Sequence, residues 1–188
     1  EADEFARSFH HLHPEVALVT CVEAEHLDCY GGIAEVEKAF VEFLHRLPPG
    51  GTVLVGGDDL VGDGVVGELG RNWLSVGFGE GCDYRIEDLC QEPHGSSFSL
   101  FYKDLHWAEF EIAVPGLHNV RNAAGAASMA HHMGVNGACC AAALAGYRSV
   151  DRRFELKGEV DGIRVVDDYA HHPSEVAAAL QAARVSGR

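Results

Sequence analysis

Glu23, Glu25, His26 and Asp28 crowd into the six residues that follow Val16-Ala-Leu-Val-Thr-Cys-Val22. The preceding run is apolar and rich in β-branched residues, and it is short enough for one buried strand. In an open α/β sheet, ligands gather beyond the carboxyl ends of strands, so the cluster falls where chemistry is placed. Carboxylate oxygens with one imidazole suit a hard or borderline divalent cation such as Mg2+ or Mn2+. A polar loop capping a strand would carry the same residue types.

Three more clusters have chemistry in them. They are Glu1 with Asp3, His118-Asn-Val-Arg-Asn122, and Arg152-Arg153 taken with Asp167 to Pro173. Each also has a plain structural reading. Asn119 and Asn122 fit a helix cap and an ordinary first-turn residue. Arg152 and Arg153 fit a surface pair, and His171-His172-Pro173 fits a helix start with proline near its first position. His10, His11 and His13 lack a second cluster at ligand spacing and read as a solvated helix end.

The elements that must hold these groups alternate strand with helix. Apolar residues from Ile33 to Leu47 recur at helical spacing and stop at Pro48-Pro49-Gly50-Gly51. Thr52 to Val55 reads as a second buried strand and Trp73 to Phe78 as another, with a short helix at Val65 to Leu69. From Tyr84 to Glu111 the pattern alternates between turn signals, as in an antiparallel patch facing water on one side. Ala123 to Met133 and Gly137 to Tyr147 read as small-residue helices. Strands at Phe154 to Glu159 and Ile163 to Val166 and a helix at Ser174 to Arg184 complete the chain. The expected class is α/β, a mostly parallel sheet flanked by helices with a small antiparallel patch, followed by the first strand–helix unit of a second domain.

Composition narrows the partners. The chain has 188 residues, 47% hydrophobic, with a formal charge of −15. Such a charge repels phosphate backbones, so nucleic acid and anionic membrane surfaces are poor partners. No apolar run approaches the roughly 20 residues of a membrane helix, and no signal peptide is recognisable. The six cysteines form no C-x-x-C pair, so they read as small core residues in a reducing cytoplasm. The opening Glu-Ala-Asp-Glu without an initiator methionine reads as an excised piece.

Taken in order, Glu-Ala-Asp-Glu at 1–4, Glu-Ala-Glu-His-Leu-Asp at 23–28, Pro-Gly-Leu-His-Asn-Val-Arg-Asn-Ala at 115–123, Arg-Arg-Phe at 152–154 and Val-Asp-Asp-Tyr-Ala-His-His-Pro at 166–173 resemble the Mur ligases. The resemblance covers essentially the whole chain. It implies that residues 1–150 are the later part of the family's central ATPase domain. Residues 151–188 are then the hinge and the start of a Rossmann-like C-terminal domain that brings in the amino acid. The family's phosphate loop is expected upstream, since no G-x-x-x-x-G-K-[ST] occurs here. The fragment alone is therefore expected to be inactive.

The resemblance further implies an ATP-dependent ligase of peptidoglycan synthesis. L-alanine joins UDP-N-acetylmuramate in the branch whose last motif reads this way, and the rest of its own chain completes the machinery. Phosphoryl transfer between anions needs cations, and the family's metal ligands fall on Glu1 and His26, with Asp28 able to orient His26. Asn119 and Asn122 match adenine contacts, Arg153 a phosphate contact, Asp168 an interdomain aspartate near the nucleotide, and His171 the hinge motif. His26 and Arg153 are the expected catalytic pair. The family usually has Asn at Cys21 and Asp at Glu25, and Lys38 reads as a surface residue. Two other readings remain open: a murein tripeptide-recycling ligase, disfavoured by Tyr169 and Phe154, and a non-catalytic module binding metal through His10, His11, His131 and His132.

Overall fold

The computed structural model describes residues 3–25, 29–58, 61–70 and 73–186. These fall into two compact units, 1–85 and 86–188.

In the first unit the apolar runs pair side by side. Strand β1 (Val16–Val19) lies parallel to β2 (Thr52–Gly56), which lies parallel to β3 (Trp73–Gly77). The first residues of β4 (Tyr84–Glu92) continue the parallel pairing beside β3. Parallel neighbours need a crossover, and helix α1 (Ile33–Leu44) supplies it between β1 and β2. One stripe of α1, with Val41 and Leu44, buries against Ala17, Val19, Val53 and Val55. A second stripe, Val36 and Ala39, packs on Phe9 and Tyr30. This fixes the N-terminal segment, whose 3-10 turn at Ser8–His11 places Phe9 in the core. Helix α2 (Asp63–Val66) links β2 to β3. After β2 the chain turns through Asp58, whose carboxylate accepts the backbone N–H groups of Phe78 and Gly79 at 3.0 and 2.7 Å.

In the second unit β4, β5 (Gly95–Tyr102) and β6 (Leu105–Ile112) are hydrogen-bonded in that order. The β5–β6 connection is two residues, Lys103 and Asp104, both with positive φ, as a hairpin turn matched to strand twist requires. Phe98 and Phe110 stack across these strands with ring centroids 5.2 Å apart. Helices α3 (Leu117–His132) and α4 (Gly137–Gly146) pack together and contact this sheet through β5 and β6 respectively. The buried face of α3 is Val120, Ala123, Ala124, Ala127 and Ser128, small enough for close approach. Strands β7 (Glu155–Val160) and β8 (Ile163–Asp167) form a hairpin closed by Asp161-Gly162, and α5 (Pro173–Ser186) follows. Among the described residues no helix is long and apolar enough to cross a membrane.

The class expected from the sequence is the one observed, with local differences. β1 stops at Val19, so Cys21 lies in the following loop and is exposed rather than buried in the strand. Cys140 alone of the six cysteines is buried, Cys82 is half-buried, and the rest face solvent. Helix α3 begins at Leu117, six residues before the expected Ala123, because Gly116 at φ 100 caps it. His118 to Asn122 therefore sits inside the first turns of a helix.

Candidate active site

The acidic loop leaves the carboxyl end of β1, and its chain doubles back where the Glu25 N–H donates to the Glu23 carbonyl at 2.9 Å. Glu1, His26 and Asp28 lie outside the described residues. Their described neighbours are tied together. The Tyr30 hydroxyl donates to the Glu4 carbonyl at 2.8 Å, and the Arg7 guanidinium lies 4.7 Å from the Tyr30 ring centroid. Asp3 accepts the Phe5 and Ala6 N–H groups at 3.1 and 2.8 Å, fixing the turn that precedes these contacts.

In the second unit the candidate residues lie at the start of α3, in the loop 149–154 and in the segment 168–172. Asn119 donates its side-chain amide to the Pro115 carbonyl at 2.7 Å, which spends one donor and leaves its oxygen available. Asn122, one turn on, is exposed. His118, just before them in the first turn, is half-buried, and its Nδ1 is sealed from solvent with no hydrogen-bond partner. A Cβ on Gly116 would stand 2.7 Å from His118 Cε1 and 3.2 Å from the Ala182 Cβ of α5, so glycine is required there by space as well as by its φ.

The loop 149–154 holds three non-glycine residues in the left-handed region: Ser149, Arg152 and Phe154. Each is held by its neighbours. The Ser149 hydroxyl donates to the Arg153 carbonyl at 3.0 Å, and the Tyr169 N–H to the Arg152 carbonyl at 2.7 Å. Asp168 accepts the Phe154 N–H and the Ala170 N–H, each at 2.8 Å. The two arginines part company here. Arg152 turns toward the hairpin, 3.8 Å from Asp167 and 4.6 Å from the Tyr169 ring centroid. Arg153 instead reaches Glu175 of α5, Nη1 to Oε1 3.6 Å, and lines a recess of about 180 Å3 with Pro115, Arg148, Ser149 and Phe154. His171 stands on the other side of the same carboxylate, Nδ1 to Oε2 3.4 Å.

These groups act on one another electrostatically. Burial holds His118 below the ordinary imidazole value, Asp168 opposing and Arg153 adding to the effect. The unfolded chain therefore takes up a proton before the folded one, and the stability present above pH 6.5 is lost as pH falls through that value. A melting temperature measured at pH 7.5 and pH 5.5 should fall on acidification, and His118→Gln should flatten the fall. His131, depressed by its own burial and then by His132, accounts for part of the remaining slope.

Of the residues expected from the sequence, the structure gathers Arg153, Asp168 and His171 at the hinge, with Asn119 at the start of α3 in the same unit. Glu175 was not anticipated, and His118 was named only within the 118–122 cluster, without a role of its own. Glu175 had a legible signal, since proline at the first helical position and a glutamate at the third, which accepts the backbone N–H before the helix, mark the start of α5. Two of the four histidines of the metal-module reading, His10 and His131, make structural contacts. The His10 ring N–H donates to the Ala39 carbonyl at 2.8 Å, and His131 stacks on Trp107 at 4.4 Å.

Residues 2–130 match the Mur ligase middle domain and residues 152–188 the Mur ligase glutamate ligase domain, and the chain belongs to the Mur ligase family. It is 42% identical to a UDP-N-acetylmuramate–L-alanine ligase of Acidithiobacillus ferrooxidans, over 98% of this chain and 41% of that protein. Against the ligase of the same name from Acidobacterium capsulatum it is 39% identical, over 100% of this chain and 41% of the other. The chain thus spans about two fifths of the length of the curated relatives it matches. Among solved structures, UDP-N-acetylmuramate–alanine ligase MurC from Thermotoga maritima aligns at TM-score 0.78 and 26% identity, covering 98% of this chain and 41% of that one. MurF from Acinetobacter baumannii shares the fold at TM-score 0.80 and 22% identity, covering 95% and 39%.

Proposed function

We propose that this chain is part of an ATP-dependent ligase that joins L-alanine to UDP-N-acetylmuramate in the cytoplasm, during peptidoglycan synthesis. The observation that carries the reading is the 39–42% identity to ligases of that name along essentially the entire chain. In this reading residues 1–150 belong to the central ATPase domain and 151–188 to the hinge and the start of the amino-acid-binding domain. A relative of the same fold, MurF from Thermotoga maritima, was solved with ADP.

The muramate carboxylate attacks the γ-phosphate of ATP, breaking the β,γ P–O bond to give an acyl phosphate and ADP, and the alanine amine then displaces phosphate and loses a proton to form the amide. Glu1 and His26 would hold Mg2+ (or Mn2+), whose charge offsets that of the phosphates. The described surroundings fit such an ion in type, because Glu23 and Glu25 make the loop rich in hard oxygen donors. The bond between Glu4 and Tyr30, three residues after Glu1 and four after His26, supports placing the two ligands together. Asn119 and Asn122 present one face of α3 to the adenine edge. Arg153, the arginine not committed to the hairpin, contacts phosphate, while Asp168 and His171 hold the hinge beside it.

The test uses the full-length protein with ATP and UDP-N-acetylmuramate. Phosphate release should depend on L-alanine and yield the alanyl product by mass. Release driven by the murein tripeptide and indifferent to L-alanine would replace this reading with the recycling one. Arg153→Lys should raise the KM for ATP about tenfold, because an ammonium cannot reproduce the bidentate fork. Equal KM values would remove Arg153 from the phosphates.

A further inference from the structure

We infer that Glu175 is a positioning residue for the nucleotide, orienting the Arg153 guanidinium toward the phosphates from a place fixed by the start of α5. The inference rests on the reading of Arg153 given above and deepens it. Two sets of contacts carry it. Through Oε2, Glu175 accepts the His171 and His172 backbone N–H groups at 3.1 and 3.3 Å, which locks the carboxylate to the first turn of its own helix. Through Oε1 it meets Arg153 Nη1 at 3.6 Å. A guanidinium held at Nη1 alone keeps its Nε and Nη2 edge for a second, bidentate anion. Arg153 otherwise has a half-exposed side chain on a backbone segment between two left-handed residues, and nothing in its own stem fixes its direction.

The carboxylate is kept charged for this task. Burial disfavours its ionised form, but the His171 and His172 N–H groups, with the His171 and Arg153 charges, outweigh burial and hold it below the usual carboxylate range. The same oxygen faces His171 Nδ1 at 3.4 Å, so one side chain links the helix cap, the hinge histidine and the phosphate arginine.

Glutamine separates the two tasks, since its amide oxygen still caps α5 while the charge that holds Arg153 is gone. In the full-length protein, with ADP as the probe in isothermal titration, Glu175→Gln should melt with the parent. It should bind ADP about three- to fivefold more weakly, the scale of one exposed ion pair. Glu175→Ala should lose the same affinity and also lower the melting temperature. In an Arg153→Met background, Glu175→Gln should no longer change ADP affinity. If Arg153→Met weakens ADP but Glu175→Gln binds it as tightly as the parent, or tighter, the positioning role is overturned and the nucleotide reading stands. If Arg153→Met itself leaves ADP binding unchanged, the reading beneath the proposal falls with it.

Discussion

In the full-length protein, if it is the ligase proposed above, His26→Ala should lower ATP-dependent ligation by at least about a hundredfold while the melting temperature stays within a few degrees of the parent. Even partners that merely orient a metal ligand change activity ten- to a hundredfold when replaced, so removing a ligand should cost no less. The described apolar clusters around α1 are built from other residues, Phe9, Tyr30, Val41 and Leu44 among them, so the exchange at position 26 is expected to leave the core of the first unit intact. The measurement is phosphate release against Mg2+ concentration. Restoration by high Mg2+ would support the ligand role, and near-normal turnover at ordinary Mg2+ would end it.

Asp168→Ala should loosen the loop at Phe154 and the segment at Ala170. The Asp168 carboxylate satisfies two backbone donors at 2.8 Å, and bonds to a charged acceptor are worth roughly 1.5–3 kcal/mol each. Losing both, in a partly exposed setting, costs about 3 kcal/mol locally. It also releases Phe154 from a backbone conformation it does not favour. Amide exchange of Phe154 and Ala170 should quicken by two orders of magnitude, and ATP turnover should drop with it because Arg153 precedes Phe154. Asp168→Asn, which keeps one acceptor, should fall between. Unchanged protection at both amides would show that the hinge is held by something else.

The strands and helices were largely readable because their apolar residues keep period, as in Thr52 to Val55 and along α1. The failures have local causes. Thr20 to Val22 continue the apolar pattern of β1, yet its register pairs Val19 with Val55 and the strand ends there. The polar run His118 to Asn122 hid the start of α3, since a helix exposing one flank at a ligand site has no amphipathic signature in its first turns. The cysteines misled because burial of a small residue depends on which element covers it, and that is a tertiary fact. The family motif alone named Arg153, Asp168 and His171, which the structure ties to Glu175 and to the Phe154 backbone. Glu175 was visible as a cap but not as the neighbour of Arg153, because β7 and β8 lie between them in sequence. The sealing of His118 Nδ1 from solvent is a tertiary fact that no spacing announces.

The left-handed residues of the hinge reverse the usual ranking of substitutions there. At Ser149 a side chain in that conformation costs about 1–2 kcal/mol. Glycine removes that cost and gives back roughly 0.4–1 kcal/mol in freedom of the unfolded chain. The flexible residue is thus close to neutral at 149, while valine, normally welcome in a stiff joint, is the damaging choice. A segment that looks like a place to rigidify by engineering is one where branched side chains would break the joint.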